Sequence, residues 1–311
     1  MKRVLSVLTA AGLALSLAAC GNSASSAASS SENAAPVEST AASSEAAGFD
    51  TTQAITVISR EDGSGTRGAF IELTGVEEKN ADGQKVDNTT VDAAIANSTN
   101  NVMQGVQADE TAIGYISMGS LNDTVKAVTV DGVEPTADNV KNGSYTLARP
   151  FNIVTNGEPT NELTVDFISY IMGADGQAVI SDKGYIGDDA AAAFESAQPA
   201  GKLVVAGSSS VSPIMEKLIE AYQAVNPNAE IELQTSDSTT GVNSAIDGTC
   251  DIGMASRELK DSETGAGAVS TAICMDGIAV IVNNNNSVTG LTKDQIKGIY
   301  VGEVTEWSEV E

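Results

Sequence analysis

Short apolar runs alternate with helical patterns between residues 55 and 300, and this alternation limits the architectures that the chain can adopt. Such runs are typical of buried strands when turn residues bound them. The predicted strands are Ile55–Ser59, Ala112–Ser117, Phe151–Thr155, Leu203–Ala206, Glu230–Gln234 and Gly277–Val282. The predicted helices are Gly68–Val76, Glu162–Met172, Pro213–Val225, Gly241–Asp247 and Lys293–Tyr300. Strands and helices that alternate in this way predict an α/β fold with largely parallel sheets.

The N-terminal part does not share this pattern. Lys2 and Arg3 precede an apolar run that ends in Leu-Ala-Ala-Cys20, the arrangement of a secretory signal peptide over residues 1–19. Cys20 in this position resembles the bacterial lipobox, in which the cysteine is lipidated, with palmitate for example, and becomes the new N-terminus. The alternative is an ordinary signal peptide with an incidental cysteine. Residues 20–49 are almost all Ser, Ala, Gly, Asn and Glu, which predicts a disordered tether. We therefore expect an extracytoplasmic protein anchored to the cell membrane through Cys20.

The composition excludes several classes of function. The chain has 42 acidic and 16 basic residues, a net charge of −26 and no histidine. Nucleic acids and anionic membrane surfaces are bound by basic patches, so we expect neither as a partner of the folded part. Without histidine, Ser-His-Asp and Cys-His catalysis and most zinc sites are excluded. We expect no cofactor and no metal.

Two cysteines, Cys250 and Cys274, remain after Cys20. Each lies beside a predicted strand, Asp251–Ala255 or Asp276–Asn283. Outside the cytoplasm two cysteines can pair if their strands are neighbours. The sequence therefore leaves two alternatives, a disulfide or two buried thiols.

Three segments share one design, in which a strand leads through a turn rich in Gly, Ser and Thr into a helix. They are residues 59–70 (SREDGSGTRGAF), 205–213 (VAGSSSVSP) and 234–242 (QTSDSTTGV). A helix N-terminus presents free N–H groups and a positive dipole end, while Gly permits close approach and hydroxyls add donors. Three such ends meeting at one point would bind a tetrahedral oxyanion without net positive charge on the protein. Each turn alone is also common in ordinary loops, and no phosphate-loop motif of the nucleotide-binding type is present.

Several runs together resemble the phosphate-binding lipoproteins of bacterial ABC phosphate importers, and they cover most of residues 55–311. These runs are VISREDGSGTRGAF, AIGYISMGSL, VDGVEPTADNVKNGSYTLARPF, GSSSVSPIMEKLIEAY, DIGMASRELKDSE, DGIAVIVNNNN and LTKDQIKGIYVGEVTEW. Their order differs from the family's, because the family's second half, about 52–186, precedes its first half, about 202–311. This order indicates a circular permutation joined through residues 187–201. Domain termini are often close together, which makes such a rearrangement physically feasible.

The resemblance implies a type II periplasmic-binding-protein-like fold, in which a hinge joins two α/β lobes and the ligand lies in the cleft between them. In the permuted order, one lobe is continuous over residues 147–283 and carries the GSSSVSP loop. The other lobe comprises residues 50–146 plus 284–311 and carries the SREDGSGTR loop. The hinge strands are expected to cross near Ala148–Phe151 and Val282–Asn286, and the new chain ends to fall between Trp307 and Ile55.

The resemblance also implies which residues contact the ligand. They are Arg60, Ser64, Gly65, Thr66, Ser209, Ser210 and Ser238. Arg60 would donate two hydrogen bonds and Asp62 would orient it. Better-known members have an aspartate that accepts the proton of hydrogen phosphate where this chain has Arg257, which cannot accept a hydrogen bond. Either Asp62 or a backbone carbonyl accepts that proton, or selectivity against sulfate is weaker. Arg257 either donates to the ligand or forms a rim ion pair with Glu258 or Asp261.

The function that the resemblance implies is capture of inorganic phosphate by a monomeric receptor that delivers it to the transmembrane subunits of an ABC permease. One alternative keeps the fold but changes the ligand to sulfate, molybdate or another tetrahedral oxyanion. Another is a phosphate-sensing or adhesion protein that is not coupled to transport. A third is a serine-dependent hydrolase, which would need a lysine or carboxylate base. No Ser-x-x-Lys occurs in the three turns, so we expect no enzymatic activity.

Overall fold

The computed structural model describes residues 48–310. The predicted signal peptide, Cys20 and nearly all of the predicted tether lie outside the described residues. Within residues 48–310, no helix combines the length and the apolar character needed to cross a membrane.

Strands and helices alternate along the described chain, as the sequence pattern predicts. The strands are β1 (Thr56–Arg60), β2 (Glu77–Lys79), β3 (Lys85–Asp87), β4 (Ala94–Ala96), β5 (Ala112–Ser117), β6 (Lys126–Ala127), β7 (Thr129–Val130), β8 (Ala148–Asn156), β9 (Gly201–Ser208), β10 (Ala229–Ser236), β11 (Ile252–Ala255), β12 (Ala268–Val282) and β13 (Gly290–Leu291). The helices are α1 (Gly65–Thr74), α2 (Thr99–Ala108), α3 (Ala137–Lys141), α4 (Glu162–Met172), α5 (Ala174–Asp182), α6 (Ser212–Val225), α7 (Ser238–Ile246), α8 (Asp261–Gly265) and α9 (Lys293–Tyr300).

One mixed sheet contains most of these strands, in the order β10-β9-β11-β8-β12-β5-β1-β4, with β6 beside β12. At its two ends the neighbours are parallel, with β9 between β10 and β11, and β1 between β4 and β5. In the centre, β12 is antiparallel to both β8 and β5. The expectation of largely parallel pairing is therefore wrong for the centre of the sheet. The reason is that β8 and β12 carry the chain between the two halves of the molecule in opposite directions.

The buried apolar side chains form two sets of clusters that share no residue. One set draws on residues 151–274, and the other on residues 57–147 and 278–310. We call residues 148–277 lobe A, and residues 48–147 with 278–310 lobe B. The chain passes between the lobes once in β8 and once in β12.

The crossing in β12 lies earlier than the predicted Val282–Asn286. From Ala268 to Gly277 the strand pairs with β8, and from Ile278 onward it pairs with β5 in lobe B. Asn283 then donates through Nδ2 to the carbonyls of Val106 and Gln107, which also belong to lobe B. The chain therefore changes lobe at residues 277–278, because the long strand continues unbroken from one lobe into the other.

The two ends of the described chain lie side by side. Ile55 N donates to Thr305 O at 2.8 Å, and Ser308 N donates to Thr51 O at 2.6 Å. In the predicted permutation the chain is cut between these two segments. Backbone hydrogen bonds nevertheless hold the two segments together.

Residues 187–200, most of the segment expected to join the two halves of the family's order, are irregular and contain no helix. Asp166 of α4 accepts hydrogen bonds from Ser196 Oγ at 2.6 Å and from Ala197 N at 3.0 Å. The aromatic ring of Phe194 packs edge-on against Tyr170. These contacts fix the connection on the surface of lobe A.

Cys250 and Cys274 are both buried free thiols, so the disulfide alternative is wrong. They belong to separate apolar clusters of lobe A, and Cys274 packs in the larger one. Burial raises the pKa of the Cys250 thiol to about 11. Both side chains therefore act as small apolar core residues.

Candidate anion-binding site

Arg60 ends β1, and its side chain is only 2% exposed. Its Nε and Nη2 donate to the two carboxylate oxygens of Glu61 at 2.8 and 2.7 Å. This bidentate pair fixes the plane of the guanidinium. Nη2 also donates to Ser209 Oγ at 3.2 Å, which joins lobe B to lobe A. Arg60 is thus a buried, oriented cation at the junction of the lobes.

Asp62 does not orient Arg60, contrary to what the resemblance implies. Its side chain is 98% exposed and forms an ion pair with Arg67 at 3.1 Å. Glu61 takes the orienting role, because its side chain is only 21% exposed and contacts the guanidinium, whereas the side chain of Asp62 points to solvent. An exposed carboxylate in this position is also no proton acceptor for a ligand held between the lobes.

The N-terminus of α1 supplies Ser64, Gly65 and Thr66, and all three are buried. Ser64 Oγ accepts a hydrogen bond from Arg67 N at 3.3 Å, which caps the helix and leaves the hydroxyl proton free to donate. A Cβ on Gly65 would lie 2.4 Å from Ser238 Oγ of lobe A. Only glycine permits this approach, so the contact explains why the turn has Gly at this position.

Lobe A supplies the other predicted serines at the starts of α6 and α7. Ser210 Oγ lies 2.7 Å from Thr66 Oγ1, and Ser209 N donates to a carbonyl at the end of β10. Ser238 Oγ accepts from Ser256 N at 3.0 Å. The three predicted turns therefore meet at one place, and the contacts among them cross from one lobe to the other.

Thr99, at the N-terminus of α2, belongs to the same cluster but was missed by the sequence reasoning. Its Oγ1 lies 3.1 Å from Ser210 Oγ and 3.4 Å from Ser209 Oγ. Ser98 caps this helix by accepting from Asn101 N. The signal was available, because an apolar strand, an Asn-Ser-Thr turn and a helix repeat the design of the other three segments.

Ser256 and Arg149 were also missed. Ser256 Oγ lies 3.0 Å from Ser208 Oγ and 3.3 Å from Ser238 Oγ, which ties the ends of β9 and β11 to α7. Arg149 lies in β8, is 2% exposed and donates through Nη2 to Thr66 Oγ1 at 3.0 Å. Nothing in the pattern around Arg149 distinguishes it, since its position depends on how β8 pairs with β12.

Arg257 forms no ion pair with Glu258 or Asp261, the two acidic residues that were considered as its partners. Its Nη1 and Nη2 donate to the two carboxylate oxygens of Glu263 at 2.8 and 2.7 Å. The guanidinium also donates to the carbonyl of Glu258 and to Thr239 Oγ1. Glu263 lies in α8, which packs against β12 and α7. Glu263 therefore holds the guanidinium of Arg257 within lobe A. Arg257 also contacts Thr239, whose backbone N donates to Gly63 O across the cleft.

The charges of the site are balanced in pairs, while the hydroxyls are numerous. Arg60 faces Glu61, and Arg149 faces Asp276 at 3.3 Å. Helix N-termini bring the hydroxyls and their positive dipole ends together. Among residues 48–310, no group of three or more His, Cys, Asp and Glu side chains is arranged to hold a metal ion. The arrangement suits an oxyanion with several oxygen atoms, each of which can accept more than one hydrogen bond.

Comparison with known proteins places the chain in a family. A family model described as a PBP superfamily domain matches residues 34–175 and 192–311. The phosphate-binding protein PstS 2 of Streptococcus agalactiae serotype V is 52% identical over 256 residues, which cover 82% of this chain and 87% of that protein. The chain belongs to the phosphate-binding protein family of this superfamily. A solved member, the phosphate-binding protein of a phosphate ABC transporter from Streptococcus pneumoniae TIGR4, matches with a TM-score of 0.66 and 44% identity, over 83% of this chain and 100% of that chain.

The order of segments is shared with one family member along nearly the whole chain. The phosphate-binding protein PstS 2 of Streptococcus pneumoniae serotype 4 is 42% identical over 308 residues, 98% of each protein. One continuous alignment of that length requires the same order of segments in both proteins. The permuted relationship to other members of the family stays a prediction.

Proposed function

We propose that the protein is an extracytoplasmic receptor that binds inorganic phosphate between lobes A and B and delivers it to an ABC permease. The observation that carries this proposal is the meeting of four helix N-termini and Arg60 at one buried point. Relatives named as phosphate-binding proteins, one of them as part of a phosphate ABC transporter, support the choice of ligand and partner. No observation here favours a sensing or adhesion role.

Hydrogen bonds account for the affinity such a receptor needs. Charge-assisted hydrogen bonds contribute about 1.5–3 kcal/mol each, and micromolar affinity needs only about 8 kcal/mol. Much of the gross energy offsets the removal of water from a small anion. An enclosed site with nearly every oxygen bonded meets this requirement, and the lobe-to-lobe contact of Thr66 with Ser210 at 2.7 Å shows how closely the walls approach. Closure of the lobes over the anion is therefore part of the proposal.

Calorimetric titration of the full chain, purified and stripped of bound ligand, tests the proposal directly. Phosphate is expected to bind with a dissociation constant in the micromolar range or below. A folded protein that does not bind phosphate at millimolar concentration would contradict the proposal.

Sulfate is expected to compete measurably with phosphate. The acidic residues of the site are engaged, since Glu61 pairs with Arg60 and Glu263 pairs with Arg257. The remaining side chains that can accept the proton of hydrogen phosphate are hydroxyls. A hydroxyl can also rotate to donate to sulfate, whereas a carboxylate can only accept. We expect discrimination well below the factor of about 10⁴ that a site with a dedicated polar partner achieves. Displacement of phosphate by sulfate measures this discrimination. A phosphate affinity that stays unchanged in a large excess of sulfate would contradict the prediction and indicate a carboxylate acceptor.

We propose no enzymatic activity. A serine nucleophile needs a base within hydrogen-bonding distance. Ser209, Ser210 and Ser238 contact hydroxyls, backbone groups and Arg60, and none of these three hydroxyls contacts a lysine or a carboxylate. The geometry therefore favours binding over bond cleavage.

The proposed anchor is a lipidated Cys20 at the end of the tether, with the receptor acting as a monomer. Stable anchoring requires more than one acyl chain, and a lipidated N-terminal cysteine supplies them. Cells given radioactive palmitate are expected to label the wild-type protein and leave Cys20→Ala unlabelled, with the variant released from the membrane fraction. Equal labelling of both proteins would contradict the assignment of Cys20. Residues 21–49 are expected to contribute nothing to phosphate affinity.

A further inference from the structure

The buried side-chain atoms that lack a hydrogen-bond partner gather where β8 and β12 cross between the lobes. Within residues 48–310 they are Ser120 Oγ, Arg149 Nε, Arg149 Nη1, Tyr185 Oη and Asp276 Oδ2. Native folds leave few such atoms, and a group of them calls for a functional reason. This group adjoins the hydroxyls of the candidate site through Arg149, which donates to Thr66 Oγ1.

Arg149 acts on the site through Thr66. Its Nη2 donates to Thr66 Oγ1 at 3.0 Å, so this oxygen is an acceptor on the side that faces β8. The proton of the Thr66 hydroxyl is therefore directed away from Arg149 and is available to Ser210 or to an anion at the meeting point of the helix N-termini. An anion held there receives that proton as a hydrogen bond and also lies close to a buried positive charge.

Asp276 is the counter-ion of Arg149, but no hydrogen bond joins the two side chains. Its Oδ2 lies 3.3 Å from Arg149 Nη2, yet the atoms are not aligned for a hydrogen bond. The other oxygen, Oδ1, accepts from Ser117 Oγ at 2.9 Å and from Gly119 N at 3.4 Å. The carboxylate is fully buried, so the ion pair holds two charges in a poorly solvating environment.

Several titratable groups face Asp276 from the elements packed around it. They are Arg149 of β8, Tyr145 before β8, Tyr185 after α5 and Cys274 of β12. Burial raises the pKa of Asp276 to about 6, against an opposing effect of Arg149. Burial also raises the pKa values of both tyrosines and of Cys274, and the guanidinium stays protonated. Asp276 is therefore the group in this cluster that changes charge between pH 5 and pH 8.

We infer that Arg149 is a positioning residue of the anion site, and that Asp276 competes with the anion for its charge, so that anion binding is coupled to protonation of Asp276. This inference rests on the proposed function. When Asp276 is ionised, it neutralises Arg149 and repels the anion. When Asp276 is protonated, the charge of Arg149 acts on the anion alone. By linkage, a bound anion favours the protonated carboxyl to the same extent.

The pH dependence of phosphate affinity in variants tests the coupling. Asp276→Asn mimics the protonated carboxyl, and the ratio of the wild-type to the variant dissociation constant cancels the titration of phosphate itself. We expect this ratio to be near one at pH 5 and to rise to about fivefold or more at pH 8, the lower end of usual coupling strengths. Asp166→Asn is the matched control, since Asp166 is also buried and hydrogen-bonded but lies away from the site. Its ratio should not change with pH.

The double variant Arg149→Met/Asp276→Asn removes both charges and leaves no unpaired ion in the core. We expect it to bind phosphate at least about tenfold more weakly than Asp276→Asn, as loss of one charge-assisted interaction predicts. The ratio of its dissociation constant to that of the wild type should fall as the pH rises from 5 to 8. If Asp276→Asn alone does not fold, the pH dependence of this second ratio tests the coupling.

Two results would overturn the inference while leaving the proposed function intact. One is a flat ratio across this pH range for both variants, and the other is a double variant that binds phosphate as tightly as Asp276→Asn. Failure of the wild-type protein to bind phosphate at any of these pH values would instead overturn the proposed function and this inference with it. Thermal unfolding of each variant confirms that the proteins compared are folded.

Discussion

Arg60→Ala is expected to weaken phosphate binding by at least about tenfold in a protein that remains folded. Loss of one charge-assisted donor is worth about 1.5–3 kcal/mol, and tenfold corresponds to about 1.4 kcal/mol. The fold should tolerate the change, because the partner carboxylate of Glu61 is 21% exposed and can regain water. Calorimetric titration with phosphate measures the affinity, and thermal unfolding reports the stability.

The control for this prediction is Lys202→Ala. Lys202 also forms an ion pair, with Glu230, but this pair lies on the surface of lobe A and is largely exposed. The substitution removes the same charge from the protein, so it separates a local effect at the site from a change in the overall field. We expect wild-type affinity for Lys202→Ala. An Arg60→Ala protein that binds as well as this control would remove Arg60 from the site.

Gly65→Ala is expected to have a larger effect, a loss of about a hundredfold or more in phosphate affinity. The added Cβ would lie 2.4 Å from Ser238 Oγ and 2.7 Å from Ser256 Oγ, both in lobe A. Because Gly65 belongs to lobe B, this overlap would prevent the two lobes from approaching as closely as they do around the site. Overpacking of this kind costs about 1–3 kcal/mol, and the upper part of that range corresponds to a hundredfold.

Gly68→Ala provides a matched control in the same helix. A Cβ on Gly68 would lie 3.7 Å from Arg257 Cδ, an ordinary van der Waals distance. Since alanine favours helix over glycine by about 1 kcal/mol, this variant should be slightly more stable and should bind phosphate normally. Equal affinities for Gly65→Ala and Gly68→Ala would show that the close approach of α1 to Ser238 is not needed for binding.

Local patterns in the sequence were sufficient for most elements of the fold. Ala112–Ser117, Glu162–Met172 and Lys293–Tyr300 have the bounds that the sequence predicts. Each combines a clear apolar pattern with turn or capping residues at its ends, so local interactions and burial agree. Helix α2 was missed, although Ser98 caps it, because Val102, Met103 and Val106 alone form its buried apolar face. The length of β12 was also missed, since pairing with two different strands extends it through both lobes.

The sequence by itself determined the class of site. Three turns of Gly, Ser and Thr at helix N-termini predict an oxyanion site where they meet, because they carry free N–H groups and hydroxyls. Only the tertiary structure decided which carboxylate serves which cation. Glu61 rather than Asp62 pairs with Arg60, and Asp276 pairs with Arg149 although the two are 127 positions apart in the sequence. These choices follow from the direction of a side chain at the end of a strand and from the register of β8 on β12, and neither can be read from local sequence.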